Sequence, residues 1–344
     1  MLRASQFSGL LLVLRWVWLG LAAILILALA TLTVFRVLTF RRERQTSAQA
    51  APASGRFISA GDIRVYIEED GPESGLAVVL IHGFGAWSET WKMTTSVLAA
   101  HGFHTIALDV PPFGFSEKIT DGTFSRQAQA QRIIRVLDAL NLKHVVLVGH
   151  SVGARPTVEA ALLAPDRVRA LVLVDAALGF GSDGQFEPIH PTLPTRAFFA
   201  VHSLRNAVLS ATATNPLMTK KLLSTFVANP AILTPALLSV YQKPLVVKDS
   251  TNRLGDWLAV LSLDQDTSLS GKLSNFSKLT MPTLLIWGDK DSITPLWQGE
   301  KLKETISNSS LDVLKGLGHI PQIEDPDQFN HSLLPFLERI SKGS

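Results

Sequence analysis

The sequence predicts an α/β fold: a mostly parallel sheet with helices on both faces, an inserted helical lid, and a single transmembrane helix in front. Short, uninterrupted apolar runs alternate with stretches of helical periodicity, which is typical of strands that are buried on both faces. Strands that alternate with helices along the chain indicate a parallel sheet. One long helical stretch interrupts this alternation, and one uncharged run precedes it.

The transmembrane helix is predicted over residues 16–35 (WVWLGLAAILILALATLTVF), twenty residues without a charge. As a helix, this run would span about 30 Å, which matches the hydrocarbon core of a bilayer. Trp16 and Trp18 at one end and Phe35 at the other suit the membrane interfaces. A cleaved signal peptide is the alternative, because Ala48-Gln49-Ala50 offers a small-residue cleavage site. We expect an uncleaved anchor, since the run is too long for a signal peptide and a basic cluster separates it from that site.

The charge distribution gives no reason to expect nucleic-acid binding. The chain of 344 residues has a net charge of +3, but residues 1–44 alone hold six arginines and one acid, so the rest of the chain carries −2. More of these arginines follow the apolar run than precede it, which slightly favours a cytoplasmic position for the rest of the chain. The absence of cysteine excludes a thiol nucleophile, a thiolate metal site and disulfide bonds.

The predicted organisation has five parts. They are an anchor with its basic flank (1–44), a flexible tether rich in Ala, Ser, Gln and Pro (45–55), a first part of the catalytic core (56–178), a helical lid (179–277) and a second part of the core (278–344). Strands are predicted at Ile63–Glu68, Ala77–Ile81, Thr105–Leu108, Val145–Val148, Leu171–Val174, Thr283–Trp287 and Leu311–Leu314, and a helix is predicted at Ser125–Leu140.

The strongest functional signal is Gly149-His150-Ser151-Val152-Gly153, which lies between a predicted buried strand and a helical pattern. This is the context of a nucleophile elbow, in which a sharp turn exposes the serine hydroxyl. The turn strains the serine backbone, and glycines are needed on either side because side chains there would collide with neighbouring backbone. The alternative is an ordinary glycine-rich turn from strand to helix.

A serine nucleophile needs a base and an acid, which follow it in the order Ser, acid, His in this arrangement. His319 follows a predicted strand and is the candidate base. Asp291 follows the Thr283–Trp287 strand and is the leading acid, with Asp289 and Asp175 as alternatives. Because loops at the carboxyl ends of parallel strands converge on one edge of the sheet, we expect positions 151, 291 and 319 to meet there.

The oxyanion of an acyl-transfer intermediate needs two donors, which we assign to the backbone N–H groups of Val152 and Phe84. Phe84 lies in a glycine-containing turn directly after the Ala77–Ile81 strand. A phosphate-binding loop is excluded there, because the third glycine of that motif is absent. We expect His82 to support the loop, and Asp109 to form a turn rather than to take part in catalysis.

Together these segments resemble the α/β-hydrolase superfamily over residues 56–340. The segments that carry the resemblance are HGFG at 82–85, DVPPFGFS at 109–116, GHSVG at 149–153, GDKD at 288–291 and GH at 318–319. They are similar to the lidded subgroup of esterases and C–C hydrolases. Family members that dehalogenate or open epoxides look different, because they carry Asp where this chain has Ser151.

The resemblance implies acyl transfer to water without a metal or an organic cofactor. We expect a serine hydrolase that cleaves a carboxylic ester, with a hydrophobic or lipid-like substrate favoured by the aromatic lid and the anchor. A C–C or amide hydrolase or an acyltransferase on the same triad is the alternative. A non-catalytic ligand-binding protein on a hydrolase scaffold is a further one.

Overall fold

The computed structural model describes residues 2–119, 123–179, 191–263 and 267–343, with side chains from residue 14 onward. The strands are Arg56–Ser59 (β1), Arg64–Asp70 (β2), Ala77–Ile81 (β3), His104–Leu108 (β4), Val145–His150 (β5), Val168–Val174 (β6), Thr283–Gly288 (β7) and Ser309–Leu314 (β8). The α-helices are Leu2–Arg42 (α1), Ser47–Ala50 (α2), Lys92–Ala100 (α3), Arg126–Ala139 (α4), Ala154–Leu163 (α5), Leu193–Ala200 (α6), His202–Ala211 (α7), Thr219–Leu223 (α8), Pro235–Gln242 (α9), Ser250–Leu263 (α10), Trp297–Thr305 (α11), Pro321–Glu324 (α12) and Pro326–Lys342 (α13).

The strands form one eight-stranded sheet in the order β1-β2-β4-β3-β5-β6-β7-β8. β2 pairs antiparallel with both β1 and β4, and the remaining pairs are parallel. The mostly parallel sheet is therefore confirmed, and each predicted strand is present. The sequence analysis missed β1, because a four-residue edge strand is too short for its alternation to stand out.

Helices cover both faces of the sheet because alternate residues of each strand point to opposite sides. On one face, Val79 and Leu147 belong to a core that includes Ile133 of α4 and Val158 of α5. On the other face, neighbouring strand residues pack with Leu98 of α3 and Leu333 of α13. β3, β5 and β7 are buried along their whole length, which explains why their sequences are apolar without interruption.

Between β6 and β7, residues 191–263 form helices α6–α10 with short 3₁₀ turns, and we call this segment the helical insertion. Its Leu223, Val227 and Tyr241 share a hydrophobic cluster with Ala86 and Ile320, which follow β3 and β8. The insertion therefore packs over the carboxyl edge of the sheet. The boundaries of a lid at 179 and 277 stay a prediction, and its residues 180–190 and 264–266 lie outside the described chain.

Helix α1 contains one stretch, Leu14–Arg42, that is long and apolar enough to cross a membrane, with a mean hydropathy of 2.5. Its side chains are exposed up to Thr31. From Leu32 onward one face of the helix packs against the helical insertion, chiefly against α7. The length and composition of α1 thus permit a membrane anchor.

The first residues of the segment expected to be a flexible tether make hydrogen bonds to the body, whereas a tether over residues 45–55 stays a prediction. The backbone N–H of Gln45 donates to the carbonyl of Val246, and its carbonyl accepts from the N–H of Lys248. Thr46 caps the one-turn helix α2 through a capping box. The Ser47 side chain is buried and donates to the carbonyl of Ser116 at 3.1 Å. Local capping and backbone pairing order the first residues of a segment whose composition alone indicates flexibility.

Candidate active site

Ser151, His319 and Asp291 form a continuous chain of hydrogen bonds at the carboxyl edge of the sheet. The Ser151 hydroxyl lies 2.8 Å from Nε2 of His319, and Nδ1 of the same ring lies 2.8 Å from Oδ2 of Asp291. All three side chains are buried. The ring can therefore accept the serine proton at Nε2 while Nδ1–H donates to the carboxylate, which is the arrangement that activates a serine hydroxyl.

The turn at Ser151 explains the two glycines of the motif. Ser151 has φ +53°, a left-handed conformation that costs a non-glycine residue energy, and it directly follows β5. A Cβ at Gly149 would lie 2.6 Å from Oγ1 of Thr157 in α5. A Cβ at Gly153 would collide with the carbonyl of His82. The glycines thus allow the elbow to pack against α5 on one side and against the loop after β3 on the other.

Asp291 is held as an ionised acceptor. Its Oδ1 accepts the backbone N–H groups of Ile293 and Thr294, and its Oδ2 accepts the Thr294 hydroxyl at 2.5 Å. Burial by itself would raise the pKa of Asp291, but the hydrogen bond and charge of His319 together with the Thr294 donors outweigh it, so the pKa is lowered. A carboxylate in this state favours the Nδ1–H tautomer of His319.

The two alternative acids occupy other positions. Asp289 accepts the backbone N–H of Gly316 at 2.7 Å and so caps a turn. Asp175, at the end of β6, accepts the N–H of Gly288 at 3.0 Å through one oxygen, whereas its other oxygen has no partner within the described chain. Burial, followed by the nearby charge of Asp291, raises the pKa of Asp175 well above its ordinary value. The structure therefore joins only Asp291 of the three to the His319 ring.

Four residues that the sequence analysis did not assign to the site hold either Asp291 or the His319 loop. They are Thr294, His150, Phe226 and Glu324. The backbone N–H of His319 donates to the Phe226 carbonyl at 2.7 Å, and its carbonyl accepts Nε2–H of His150 at 2.8 Å. Glu324 accepts the N–H of Gly318 at 2.8 Å. No sequence pattern singles out Phe226 or Glu324, whereas His150 lies within the GHSVG segment and Thr294 follows Asp291 at the spacing of a side-chain-capped turn.

The loop after β3 lies directly against the elbow. A Cβ at Gly83 would lie 2.9 Å from Cβ of Ser151, which shows how close the two segments are. Nδ1–H of His82 donates to the Gly83 carbonyl at 2.8 Å, and its Nε2 accepts the N–H of Val110 at 3.0 Å. His82 thus supports the loop, as we expected. Phe84 and Val152 lie on these adjoining segments, and their role as oxyanion donors remains a prediction.

Asp109 forms a turn, as its sequence context indicates. It is fully buried, and its two oxygens accept the backbone N–H groups of Ser88 at 2.7 Å and Phe115 at 2.6 Å. Burial raises the pKa of Asp109 to about 7. The same turn contains a cis peptide bond between Pro111 and Pro112. Asp109 therefore links the β4 loop to the segment after β3.

A cavity lies between the sheet edge and the helical insertion. Its apolar lining includes Phe84, Phe113, Leu222, Leu223, Phe226, Tyr241, Leu245 and Leu254. The ring of Phe226 lies 5.6 Å from that of His319, so the cavity adjoins the triad. Lys118 is the charged residue among the described lining, and its ammonium donates to the carbonyls of Pro112, Phe113 and Gly114. Loss of hydration lowers the pKa of Lys118 to about 8.

Asp175, Asp291 and His319 are the described residues that could together hold a metal ion, because their ligand atoms lie within 4.8 Å of one another. However, the two nitrogens of His319 are already engaged by Asp291 and Ser151. The hydrogen-bonding pattern is that of a nucleophile, a base and an orienting acid, so these residues suit serine chemistry better than metal ligation.

A sequence profile of the alpha/beta hydrolase fold matches residues 77–326. The chain belongs to this family. It is similar to a 2-hydroxy-6-oxononadienedioate/2-hydroxy-6-oxononatrienedioate hydrolase of Dechloromonas aromatica, with 29% identity over 85% of this chain and 98% of that protein. The prediction of a hydrolase is thereby supported, whereas the carboxylesterase prediction is not confirmed. The C–C hydrolase alternative has the better support.

Two solved structures show the same fold. A meta-cleavage product hydrolase from Pseudomonas fluorescens has a TM-score of 0.67 and 23% identity, and the match covers 83% of this chain and 98% of that one. An esterase from Exiguobacterium antarcticum has a TM-score of 0.65 and 26% identity, and the match covers 83% of this chain and 99% of that one. The fold therefore does not decide between the two reactions.

Proposed function

We propose that the chain is a serine hydrolase that cleaves a carbon–carbon bond next to a ketone carbonyl. The observation that carries the proposal is the hydrogen-bonded chain from Asp291 through His319 to Ser151. The similarity to hydrolases of 6-oxo dienedioates supports the choice of bond, since these compounds present a ketone to the nucleophile. In this proposal Ser151 is the nucleophile, His319 the base and Asp291 the acid that orients it.

In the first step the Ser151 oxygen attacks the ketone carbon while Nε2 of His319 takes the hydroxyl proton. The ketone oxygen becomes an oxyanion, for which the backbone N–H groups of Phe84 and Val152 are the proposed donors. The imidazolium that forms is stabilised by the Asp291 carboxylate at 2.8 Å. The preorganised donors lower the barrier because they need not reorient as charge develops.

In the second step the oxyanion re-forms the carbonyl and the carbon–carbon bond breaks, which leaves an acyl-enzyme at Ser151. The electron pair of the broken bond passes to the leaving carbon, which takes the proton from His319. Because a simple carbanion is a poor leaving group, the substrate needs a conjugated keto or enol group that accepts this electron pair. Water, deprotonated by His319, then hydrolyses the acyl-enzyme to a carboxylic acid and restores Ser151. One oxygen of the product acid therefore comes from water.

The test compares a 2-hydroxy-6-oxo dienoate ketone with a p-nitrophenyl ester of the same acyl group, in ¹⁸O-enriched water. We expect the ketone to be cleaved with the higher kcat/KM and one ¹⁸O atom to enter the product acid. Ser151→Ala should abolish the cleavage of either substrate. Ser277→Ala, which changes an exposed serine, is the matched control. Ester turnover by a Ser151-dependent enzyme that ignores the ketone would refute the choice of bond. No turnover, together with no fluorophosphonate labelling, would refute the enzyme.

Ester hydrolysis is the second candidate, and the cavity favours it. A dicarboxylate bound in a buried cavity needs cationic partners. Among the described lining, the ammonium of Lys118 already donates to three carbonyls, and the other residues are uncharged. A neutral ester with a hydrophobic acyl chain fits such a lining. Faster turnover of uncharged acyl chains than of carboxylate-ended chains of equal length would support this candidate, and the reverse order would count against it.

We also propose that α1 anchors the catalytic domain to a membrane, with the domain on the cytoplasmic side. Twenty uncharged residues and exposed apolar side chains support the span, and the arginines that follow it support the orientation. A fluorescent protein fused to the C-terminus should fluoresce in the membrane fraction, whereas alkaline phosphatase at the same position should be inactive. The opposite pair of results would reverse the orientation.

A further inference from the structure

The start of helix α7 lies beside the apolar part of α1. Among residues 31–43, the end of α1 and the residue after it, the partly or fully buried side chains are Leu32, Phe35, Arg36, Thr39, Arg42 and Glu43, which repeat at helical spacing and form one face. This face packs against α7 of the helical insertion. Two of its residues, Leu32 and Phe35, belong to the uncharged run that is proposed to cross the membrane.

Hydrogen bonds set the direction of the two helices. Glu43 accepts from the N–H of Thr251 at 3.1 Å and from its hydroxyl, and that hydroxyl lies 2.7 Å from Thr214, just beyond the C-terminal end of α7. Arg36 donates to Asn252 at 2.7 Å, and Asn252 accepts from Asn206 in the middle of α7 at 3.0 Å. The two helices therefore run parallel.

This direction places the first turn of α7 at the depth of the apolar run. His202 precedes Asn206 by four residues, as Leu32 precedes Arg36, and each interval corresponds to about 6 Å along a helix. The start of α7 consequently lies level with the end of the uncharged run, and α6 ends two residues before α7 begins. If that run occupies hydrocarbon, this part of the insertion lies at the membrane interface or deeper.

The surface of this part suits a membrane. Leu193 is 80% exposed, Val201 48% and Leu204 39%, whereas Leu209 in the same insertion is 8% exposed. Residues 191–248 contain six lysines and arginines and no aspartate or glutamate. One of the six, Arg205, is buried and paired with Asp256, whereas Arg196 is exposed on α6 beside the exposed apolar side chains. Exposed apolar side chains next to a basic residue are typical of surfaces that bind anionic lipid.

We propose that α6 and the first turn of α7 insert into the membrane leaflet beside α1, with a bilayer that contains anionic lipids as the partner. This second membrane contact rests on the proposed anchor and extends it from one helix to the helical insertion. The same insertion supplies Leu245 and Leu254 to the wall of the cavity. The contact therefore holds the substrate cavity next to the membrane surface.

The absence of cysteine allows a direct test with single labels on the full chain. Leu193→Cys and Leu204→Cys, each carrying an environment-sensitive fluorophore, are reconstituted in bilayers of phosphatidylcholine and phosphatidylglycerol. Leu217→Cys is the matched control, since Leu217 is 77% exposed on the same insertion but lies at the Glu43 end of α1. We expect blue-shifted emission and quenching by nitroxide lipids at 193 and 204, and quenching by aqueous iodide at 217.

A label at Leu25, in the middle of the uncharged run, separates the two proposals. Iodide quenching at 193 and 204 equal to that at 217, with Leu25→Cys quenched by deep nitroxide lipid, would overturn the second contact and leave the anchor intact. Iodide quenching of Leu25→Cys would overturn both. Nitroxide quenching at 25, 193 and 204 together would support both. None of these positions belongs to the proposed catalytic machinery, so turnover serves as a check on folding.

Discussion

At the scale of single residues, hydrogen-bond donors decide which carboxyl group can orient the base. Asp291 is surrounded by donors and has a lowered pKa, whereas Asp175 has one donor, a raised pKa and one oxygen without a partner in the described chain. A charged Asp175 beside Asp291 would add repulsion and a desolvation cost that the single hydrogen bond from Gly288 does not offset. We therefore expect Asp291 to carry the negative charge that stabilises the imidazolium of His319 in the proposed reaction.

The two carboxyl groups should respond differently to replacement by the isosteric amide. We expect Asp291→Asn to lower kcat roughly 10³- to 10⁴-fold, because the amide favours the wrong tautomer of His319. Asp175→Asn should lower it by less than about tenfold, since the amide oxygen still accepts the N–H of Gly288 and no charge is lost. Steady-state kinetics on the same substrate test this. A larger loss in Asp175→Asn would mean that Asp175 is the functional acid.

Thr294 should act through Asp291 rather than on substrate. Thr294→Val removes the hydroxyl that donates to Asp291 Oδ2 at 2.5 Å. A hydrogen bond to a charged group is worth about 1.5–3 kcal/mol, so kcat should fall about tenfold or more while KM changes little. Thr305→Val, which removes a hydroxyl bonded to the Lys301 carbonyl on α11, is the control and should leave kcat unchanged. A change confined to KM would contradict this role.

At the scale of elements, the elbow after β5 and the loop after β3 pack against each other through glycines. A side chain at 153 would strike the His82 carbonyl, and one at 83 would press on His150 and Ser151. Both contacts are with backbone or with buried rings that cannot move aside. Direct packing of the two strand ends therefore fixes the distance between the proposed nucleophile Ser151 and the proposed oxyanion donor Phe84.

Gly83→Ala should consequently damage activity more than stability. Its Cβ would lie 2.8 Å from Nδ1 of His150 and 2.9 Å from Cβ of Ser151, and relief of such overpacking costs about 1–3 kcal/mol through small shifts. Shifts at Ser151 displace the proposed nucleophilic oxygen, so we expect a large drop in kcat/KM and only a modest fall in Tm. Gly343→Ala, where the nearest atom is 3.6 Å away, is the control. Unchanged kcat/KM would show that the loop and the elbow are not coupled.

At the scale of the whole molecule, buried neutral histidines make the fold sensitive to acid. Burial lowers the pKa of His82 to about 4 and that of His150 to about 3. Nε2 of His82 accepts a hydrogen bond from Val110, which a protonated ring could not do. The unfolded chain takes up a proton at each histidine near pH 6.5, whereas the folded chain does not until lower pH.

Stability should therefore be complete above about pH 6.5 and fall as the pH drops towards 4. For His82 the free energy of unfolding that is lost on full protonation is up to about 3 kcal/mol. Chemical denaturation at pH 7.5, 6, 5 and 4.5 measures it, and His82→Gln should be less stable at neutral pH but show a shallower dependence. His101→Gln, which changes an exposed histidine, should keep the wild-type slope. If the free energy of unfolding of His82→Gln fell with pH as steeply as that of the wild type, His82 would not be the source of the acid sensitivity.

The arrangement of α1 depends on contacts that the sequence does not reveal. Arg36, Arg42 and Glu43 bind residues of the helical insertion more than two hundred positions away. The composition of residues 45–55 indicates a flexible tether, but Gln45 pairs with the segment around Val247. Side-chain partners so distant along the chain follow from the packing of the insertion and not from any local pattern.

The sequence by itself determined the strand and helix pattern, the parallel sheet and the positions of Ser151, Asp291 and His319 at strand ends, because these follow from local periodicity and from glycine-dependent turns. Only the tertiary structure decided which of three acids meets the His319 ring, which residues hold its loop, and that α1 lies against the insertion. Those outcomes depend on distances between segments far apart in sequence, and such distances are fixed only when the sheet and its covering helices pack together.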